Sequence, residues 1–374
     1  MLRPRVPRSA RFAVGLARAP AAAAALLIGT ACLAGAPRAD DTAITQARGV
    51  PHEVVLLRYF PLFGNSEVLR RLLSPLAAAQ LRDTLARTRK VLSPYALDLT
   101  KERFLLYVPS RPPPSPRGFG LLVFVAPWKP ATLPQGWALQ LNRYGFIFVT
   151  PEDADNAAAV LSRRVPLALS AEQNIARELP VDPQRIFIGG FSGGSRVALR
   201  IALGYPDVFH GALLNAGADP LGGPTDPLPP RDLFFRFQSS SHLVYVTGTL
   251  DSFNLDTDAS SSASMRHWCL ADVETRQTPD VGHEVMSSAA FGQALARLVR
   301  PPPPAPDPAV LAACRAHLEA ELQGKLAQVQ ALIAASKQAA ARKLLLAIDA
   351  RYGGLAGPYS LELAQSCRCG LASP

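Results

Sequence analysis

Arg185-Ile186-Phe187-Ile188-Gly189-Gly190-Phe191-Ser192-Gly193-Gly194-Ser195-Arg196 is the stretch from which the rest of the chain can be read. It opens as an apolar, strand-like run. Its centre, Gly190-Phe191-Ser192-Gly193-Gly194, has the form G-x-S-x-G. Residues 195–203 then read as an amphipathic helix closed by Gly204 and Pro206. A strand that turns sharply into a helix holds the central serine at a strained backbone position, with its hydroxyl above the sheet edge. Residues two before and two after that serine approach each other closely, which side chains at 190 and 194 would obstruct. The amides that open the helix point to the same place, so the Gly193 N–H is the expected oxyanion donor. Two plainer readings compete: a phosphate-cradling loop and a tight structural turn. The first lacks a Walker Lys-Ser/Thr and a G-x-G-x-x-G register, and the strand and helix flanks favour Ser192 as a nucleophile over the second.

Outward from this turn, the region from about Phe119 to Pro279 alternates apolar runs with helical patterns, as a parallel sheet covered by helices requires. Strands are expected at 103–108, 120–125, 146–150, 185–191, 211–215, 243–247 and 273–277, several of them almost continuously apolar. Helices fit at about 171–178, 195–203 and 286–299, and 67–91 reads as a helical region ahead of the sheet. The expected fold class is α/β, an α/β-hydrolase fold with a mostly parallel central sheet flanked by helices and a small C-terminal helical appendage. The expected organisation is a signal peptide over 1–39, an N-terminal segment with helices over 40–99, the catalytic domain over 100–300, a proline-rich linker over 301–308 and the appendage over 309–374. Within the last, 309–350 is Ala/Leu-rich and helical, and a short helix follows the glycines at 353–357.

In such a fold the partners of the serine follow it in the order acid, then histidine. His283, in Pro279-Asp280-Val281-Gly282-His283-Glu284, lies on a loop after one expected strand and before one expected helix, where a general base belongs. His210 and His242 stand beside apolar strand starts, His267 in a helical stretch and His317 in the appendage, all positions that suit structural roles. The acid should follow the strand at 243–247, and Gly248-Thr249-Leu250-Asp251 places Asp251 there; Asp256 and Asp258 are the alternatives in the same loop. Its task would be to fix the His283 tautomer and to stabilise the imidazolium. A second oxyanion donor should come from Ala126-Pro127-Trp128-Lys129. Pro127 has no N–H, so the donor is Ala126 or Trp128.

The formal charge of +10 suggests nucleic acid until the N-terminus is read. Arg3, Arg5, Arg8, Arg11 and Arg18 precede an apolar run over 19–36, with no acid before Asp40, which describes a secretory signal peptide. Cleavage near residue 39 also removes Arg38, and taking those six arginines from +10 leaves +4, an ordinary surface charge. Basic patches interleaved with aromatics are not evident, so no nucleic-acid partner is expected. Membrane attachment would come only through a lipidated Cys32 or an uncleaved signal. The remaining cysteines, Cys269, Cys314, Cys367 and Cys369, permit three pairings. Cys269 with Cys314 would tie the main domain to the following helix. Disulfides are favoured over a metal site, because the Cys-x-Cys pair has no neighbouring histidine or second cysteine pair. Neither a metal nor a cofactor is expected, and the C-terminal helices are left available for an unknown partner.

With these residues in hand, the chain resembles secreted esterases related to polyhydroxybutyrate depolymerases and feruloyl esterases. The stretches that carry the resemblance are Val181-Asp182-Pro183-Gln184-Arg185 leading into the Ser192 turn, Tyr205-Pro206-Asp207-Val208-Phe209, and Gly282-His283. It spans about 100–300 and implies hydrolysis of carboxylic esters through an acyl-enzyme, without a cofactor. The His-Gly pattern common after the third strand of such enzymes is missing here. A serine peptidase or amidase on the same fold, or a non-catalytic binding protein, are the alternative readings.

Overall fold

A computed structural model describes residues 47–89, 97–270, 272–300 and 307–367. The expected signal peptide with Cys32, most of the proline-rich linker, and Cys369 lie outside the described residues. In chain order the elements are β1 (His52–Val54), α1 (Asn65–Leu72), α2 (Pro75–Thr88), β2 (Phe104–Tyr107), β3 (Phe119–Val125), α3 (Trp137–Tyr144), β4 (Phe146–Pro151), α4 (Val165–Glu178), β5 (Val181–Phe191) and α5 (Gly193–Gly204). They continue with β6 (Gly211–Asn215), α6 (Arg231–Ser240), β7 (His242–Gly248), α7 (Ser252–His267), β8 (Val273–Thr278), α8 (Ser288–Leu298), α9 (Pro308–Ala334), α10 (Gln338–Tyr352) and α11 (Gly357–Ser366). None of these helices is long and apolar enough to cross a membrane.

The strands form one sheet in the order β1-β2-β4-β3-β5-β6-β7-β8. β2 runs antiparallel to both β1 and β4, and every pair from β4 to β8 is parallel. This is an α/β-hydrolase fold. Every residue of β3, β4 and β6 is buried, because helices cover both faces of the sheet. Successive side chains point to opposite faces. Leu121, Val123 and Val125 therefore join the core under α4 and α5, while Leu122 and Phe124 meet Trp137 of α3 and Phe291 of α8. β8 lies at the sheet edge, and its Thr275 and Gln277 are exposed.

Several elements depart from the sequence expectations for identifiable reasons. The helical region at 67–91 is two helices, because Pro75 has no N–H to extend α1 and instead opens α2, with Ser74 Oγ accepting from Ala77 N at 3.4 Å. Short β1 was not anticipated, nor were α3 and α6. α7 carries few apolar residues between Ser252 and Ser264, so periodicity does not announce it. The 309–350 stretch divides at Ser336, which takes a φ of 58°.

The C-terminal helices share the larger core. Leu322, Val329, Leu345, Ile348 and Tyr352 are buried in one cluster with α4 and α5. Asp349 of α10 accepts from Ser74 Oγ and, at 3.1 Å, from Leu76 N, so it completes the cap of α2. Cys269, just after α7, is bonded to Cys314 of α9 across a sequence separation of 45. Opening that loop frees the unfolded chain, so Cys314→Ser should lower stability by about 2–4 kcal/mol. A denaturant midpoint for the oxidised variant that equals the wild type's would refute this.

Candidate active site

The turn between β5 and α5 is as tight as the glycines require. Ser192 holds φ 54° and ψ −123°, a conformation that costs a non-glycine residue about 1–3 kcal/mol. A Cβ at 190 would lie 2.3 Å from the Gly194 carbonyl group, and one at 194 would lie 1.9 Å from the Val125 oxygen. The Ser192 N–H donates to the Asn215 carbonyl at 2.9 Å, and Ser195 N donates back to Ser192 O at 3.0 Å to start α5. Gly193 is equally confined, since a Cβ there would meet Asn156 Oδ1 at 2.2 Å.

The segment that follows β3 lies beside this turn. The Ala126 carbonyl carbon is 3.4 Å from the Cβ position of Gly194. Arg164 Nη2 donates to Ala126 O at 3.4 Å, and Asn156 N donates to Pro127 O at 3.3 Å, so the carbonyls of the segment are held from the β4 side. The Trp128 ring packs against Phe191 at 5.8 Å between centroids and donates its indole N–H to Thr132 Oγ1 at 3.0 Å.

Two loops bring the other residues to the serine. β7 and β8 end side by side, and the loops beyond them are joined by Thr249 N to Thr278 O and Leu250 N to Val281 O, both 2.9 Å. His283 Nε2 lies 2.9 Å from Ser192 Oγ, and its Nδ1 lies 2.6 Å from Asp251 Oδ2. An ionised carboxylate can only accept, so the proton sits on Nδ1 and Nε2 is left to accept from the serine hydroxyl. Phe191 stacks on the imidazole at 4.8 Å, and 43% of the His283 side chain remains exposed toward solvent. Asp251 is buried, at 8% exposure, and caps α7 by accepting from Asn254 N at 3.4 Å. Burial by itself would raise the Asp251 carboxyl, but the hydrogen bonds from His283 and Asn254 outweigh it and hold the group below the ordinary aspartate value.

The structure thus brings Ser192, His283 and Asp251 together and leaves the alternatives elsewhere. Asp256 is exposed on α7. Asp258 is buried and accepts from Thr247 Oγ1 at 2.5 Å; burial pushes its carboxyl up to about 6. His242 pairs with Asp272 at 2.5 Å, and His267 contacts Arg351 at 2.8 Å.

Two asparagines that the sequence reading passed over hold the arrangement. Buried Asn254 donates to both Asp251 oxygens, at 3.0 and 2.9 Å, and accepts from Arg196 Nη2 at 3.1 Å. Asn215 is the last residue of β6. Besides receiving the Ser192 N–H, it donates to Val246 O at 2.9 Å and accepts from Met286 N at 2.8 Å. One residue therefore joins three parts: its carbonyl holds the serine turn, and its side chain holds the end of β7 and the His283 loop. A helix start after a strand, Leu250-Asp251-Ser252-Phe253-Asn254, was the available signal for Asn254. Nothing local marks Asn215.

Among the described residues no group of three or more His, Cys, Asp or Glu side chains is placed to hold a metal ion. No family model and no curated protein matches the chain. It is similar in fold to solved structures of esterases and related hydrolases. An esterase of Pyrobaculum calidifontis is 15% identical, over 53% of this chain and 80% of that one, with a TM-score of 0.40. An S-formylglutathione hydrolase from Staphylococcus aureus is 13% identical, over 53% and 93%, at 0.43. A ferulic acid esterase is 15% identical, over 52% and 88%, at 0.38.

Proposed function

We propose that this chain hydrolyses carboxylic esters through an acyl-enzyme on Ser192. The observation that carries the proposal is the continuous hydrogen-bonded run from Ser192 Oγ through both nitrogens of His283 to Asp251. Ser192 Oγ attacks the ester carbonyl while His283 Nε2 takes its proton. The carbonyl oxygen, now carrying the negative charge, is received by the Gly193 N–H and by a second amide from Ala126 or Trp128. As the carbonyl re-forms, the C–O bond to the alcohol breaks and His283 returns the proton to the departing oxygen. Water then gives its proton to His283 and attacks the acyl carbon; the acid is released as His283 reprotonates Ser192. Asp251 stays ionised throughout and stabilises the imidazolium formed in each half. The sequence resemblance to exported esterases supports ester over amide as the substrate.

The same resemblance, the basic-then-apolar N-terminal sequence and the Cys269–Cys314 disulfide support export to an oxidising compartment.

A fluorophosphonate probe should label the purified protein at Ser192 and leave Ser192→Ala unlabelled. With p-nitrophenyl esters, Ser192→Ala and His283→Ala should each lose on the order of 10⁶-fold in kcat, and Asp251→Asn about 10⁴-fold. Labelling that persists in Ser192→Ala would overturn the proposal. Asn254 is buried behind Asp251 and His283 and contacts both. Asn254→Ala should therefore reduce kcat by roughly ten- to hundredfold with KM little changed, because Asp251 loses its fixed orientation. Steady-state kinetics that show the change in KM instead would count against this role.

A further inference from the structure

A cleft of about 260 Å³ is lined in part by Gly193, the residue that follows Ser192. Gly193, Arg196 and Arg200 stand at i, i+3 and i+7, so one face of α5 forms a wall of it. Arg164, immediately before α4, and Asp219 and Asp226, from the segment between β6 and α6, also line it.

The cations in this cleft exceed the anions. Arg196 pairs with Asp219 at 3.2 Å. Arg164 and Arg200 have no carboxylate within ion-pair distance among the described residues. Arg164 donates only to carbonyls, those of Ala154 at 2.8 Å and Ala126 at 3.4 Å, and Asp155 acts on it at longer range. Arg200 donates from Nη2 to Leu72 O at 2.8 Å, while its Nε is buried with no hydrogen-bond partner. Asp226 attracts Arg200 at longer range, but burial raises its carboxyl to about 7, so near neutral pH it offsets only part of a charge. In the lining three guanidiniums stand against two carboxylates, and Asp155 outside it is shared with Lys129 at 3.5 Å, so the cleft suits a monoanion. A guanidinium taken from water without an anionic partner is costly, and a bound carboxylate would relieve that cost with paired, charge-assisted hydrogen bonds.

The geometry also fixes the reach. An α-helix rises 1.5 Å per residue, so Arg196 and Arg200 stand about 6 Å and about 12 Å beyond Ser192 along α5. An anion received there is several bonds removed from the carbonyl under attack. The acyl portion is the part that stays bonded to Ser192 through both half-reactions, so a charge on it is used in both.

We infer that the ester cleaved at Ser192 carries a carboxylate at the far end of its acyl chain, seated against Arg196, Arg200 and Arg164 in the cleft beside Gly193; this rests on the esterase reading above. The test compares p-nitrophenyl monoesters of succinate, adipate and suberate with neutral acyl esters of matched length, alongside fluorophosphonate labelling of Ser192. The wild type should prefer the best diacid monoester over its neutral match by about tenfold or more in kcat/KM, the size of one charge-assisted hydrogen bond. Arg200→Met should remove most of that preference and Arg200→Lys should restore part of it. Arg82→Gln, an equal change of net charge on exposed surface, should leave the ratio unchanged. Asp226→Asn, nearly isosteric, should raise the ratio, so the inference stays testable if Arg200→Met does not fold. Ser192 labelling with no anionic preference, or with a preference that survives Arg200→Met and is unmoved by Asp226→Asn, overturns the cleft assignment alone. Absence of Ser192-dependent labelling overturns it together with the esterase reading.

Discussion

Ser192 can face outward from the sheet only while its backbone is held at a positive φ, and much of the surrounding structure serves to hold it there. The strain of about 1–3 kcal/mol has to be offset locally. Gly190 and Gly194 permit a contact that any Cβ would prevent, the Asn215 carbonyl fixes the Ser192 N–H, and α5 is buried along most of its length. Helix and strand are thus clamped on either side of one residue. Relaxing the turn would require the first turn of α5 to leave Val125, and with it the end of the central strand β3.

The same first turn reaches the acid. Arg196 stands four residues after Ser192 and donates to Asn254, which in turn donates to both oxygens of Asp251. Gly217 makes the crossing possible, since a Cβ there would lie 2.5 Å from Arg196 Nη1. Serine and acid are therefore positioned by one helix turn through two side chains, and the histidine between them is fixed from the β7 and β8 loops. Asn215 closes the arrangement by receiving the Met286 N–H from beyond His283. A shift of any one of these loops would be felt at the others through hydrogen bonds of ordinary length.

What can be read from the sequence is what local order determines. A strand, glycines at two fixed offsets and a helix start suffice for the Ser192 turn, and near-continuous apolar runs suffice for β3 to β7. Asp251 follows because it stands just past the end of such a run, and His283 because it lies on the loop between β8 and α8. Antiparallel pairing of β2 has no local mark, because its Phe104-Leu105-Leu106-Tyr107 is as apolar as any parallel strand. The supporting roles of Asn215 and Asn254 depend on partners tens of residues distant, which no spacing rule supplies. The C-terminal helices read as an appendage since a proline-rich stretch precedes them. Their burial depends on Asp349 meeting Ser74 and on Tyr352 meeting Trp268, at 5.7 Å between ring centroids, contacts with no precursor in the local pattern.

Position along the chain puts Asp251 ahead of Asp258, and the donors around the two carboxylates give that preference a physical basis. Both are buried, both belong to α7 or its cap, and they stand seven residues apart, so both lie on the same side of that helix. Asp258 receives a hydrogen bond from Thr247 and the favourable influence of the Gly217 and Ala218 amides, but desolvation prevails and its carboxyl rises to about 6. At Asp251 the donors prevail: His283, which would become a cation in the proposed reaction, and Asn254, which holds both oxygens at once. A base that gains a proton in the proposed transition state needs an ionised neighbour, and of the two carboxylates only Asp251 is directed at an imidazole. Donor chemistry, rather than burial, separates a structural acid on α7 from the one able to steer His283.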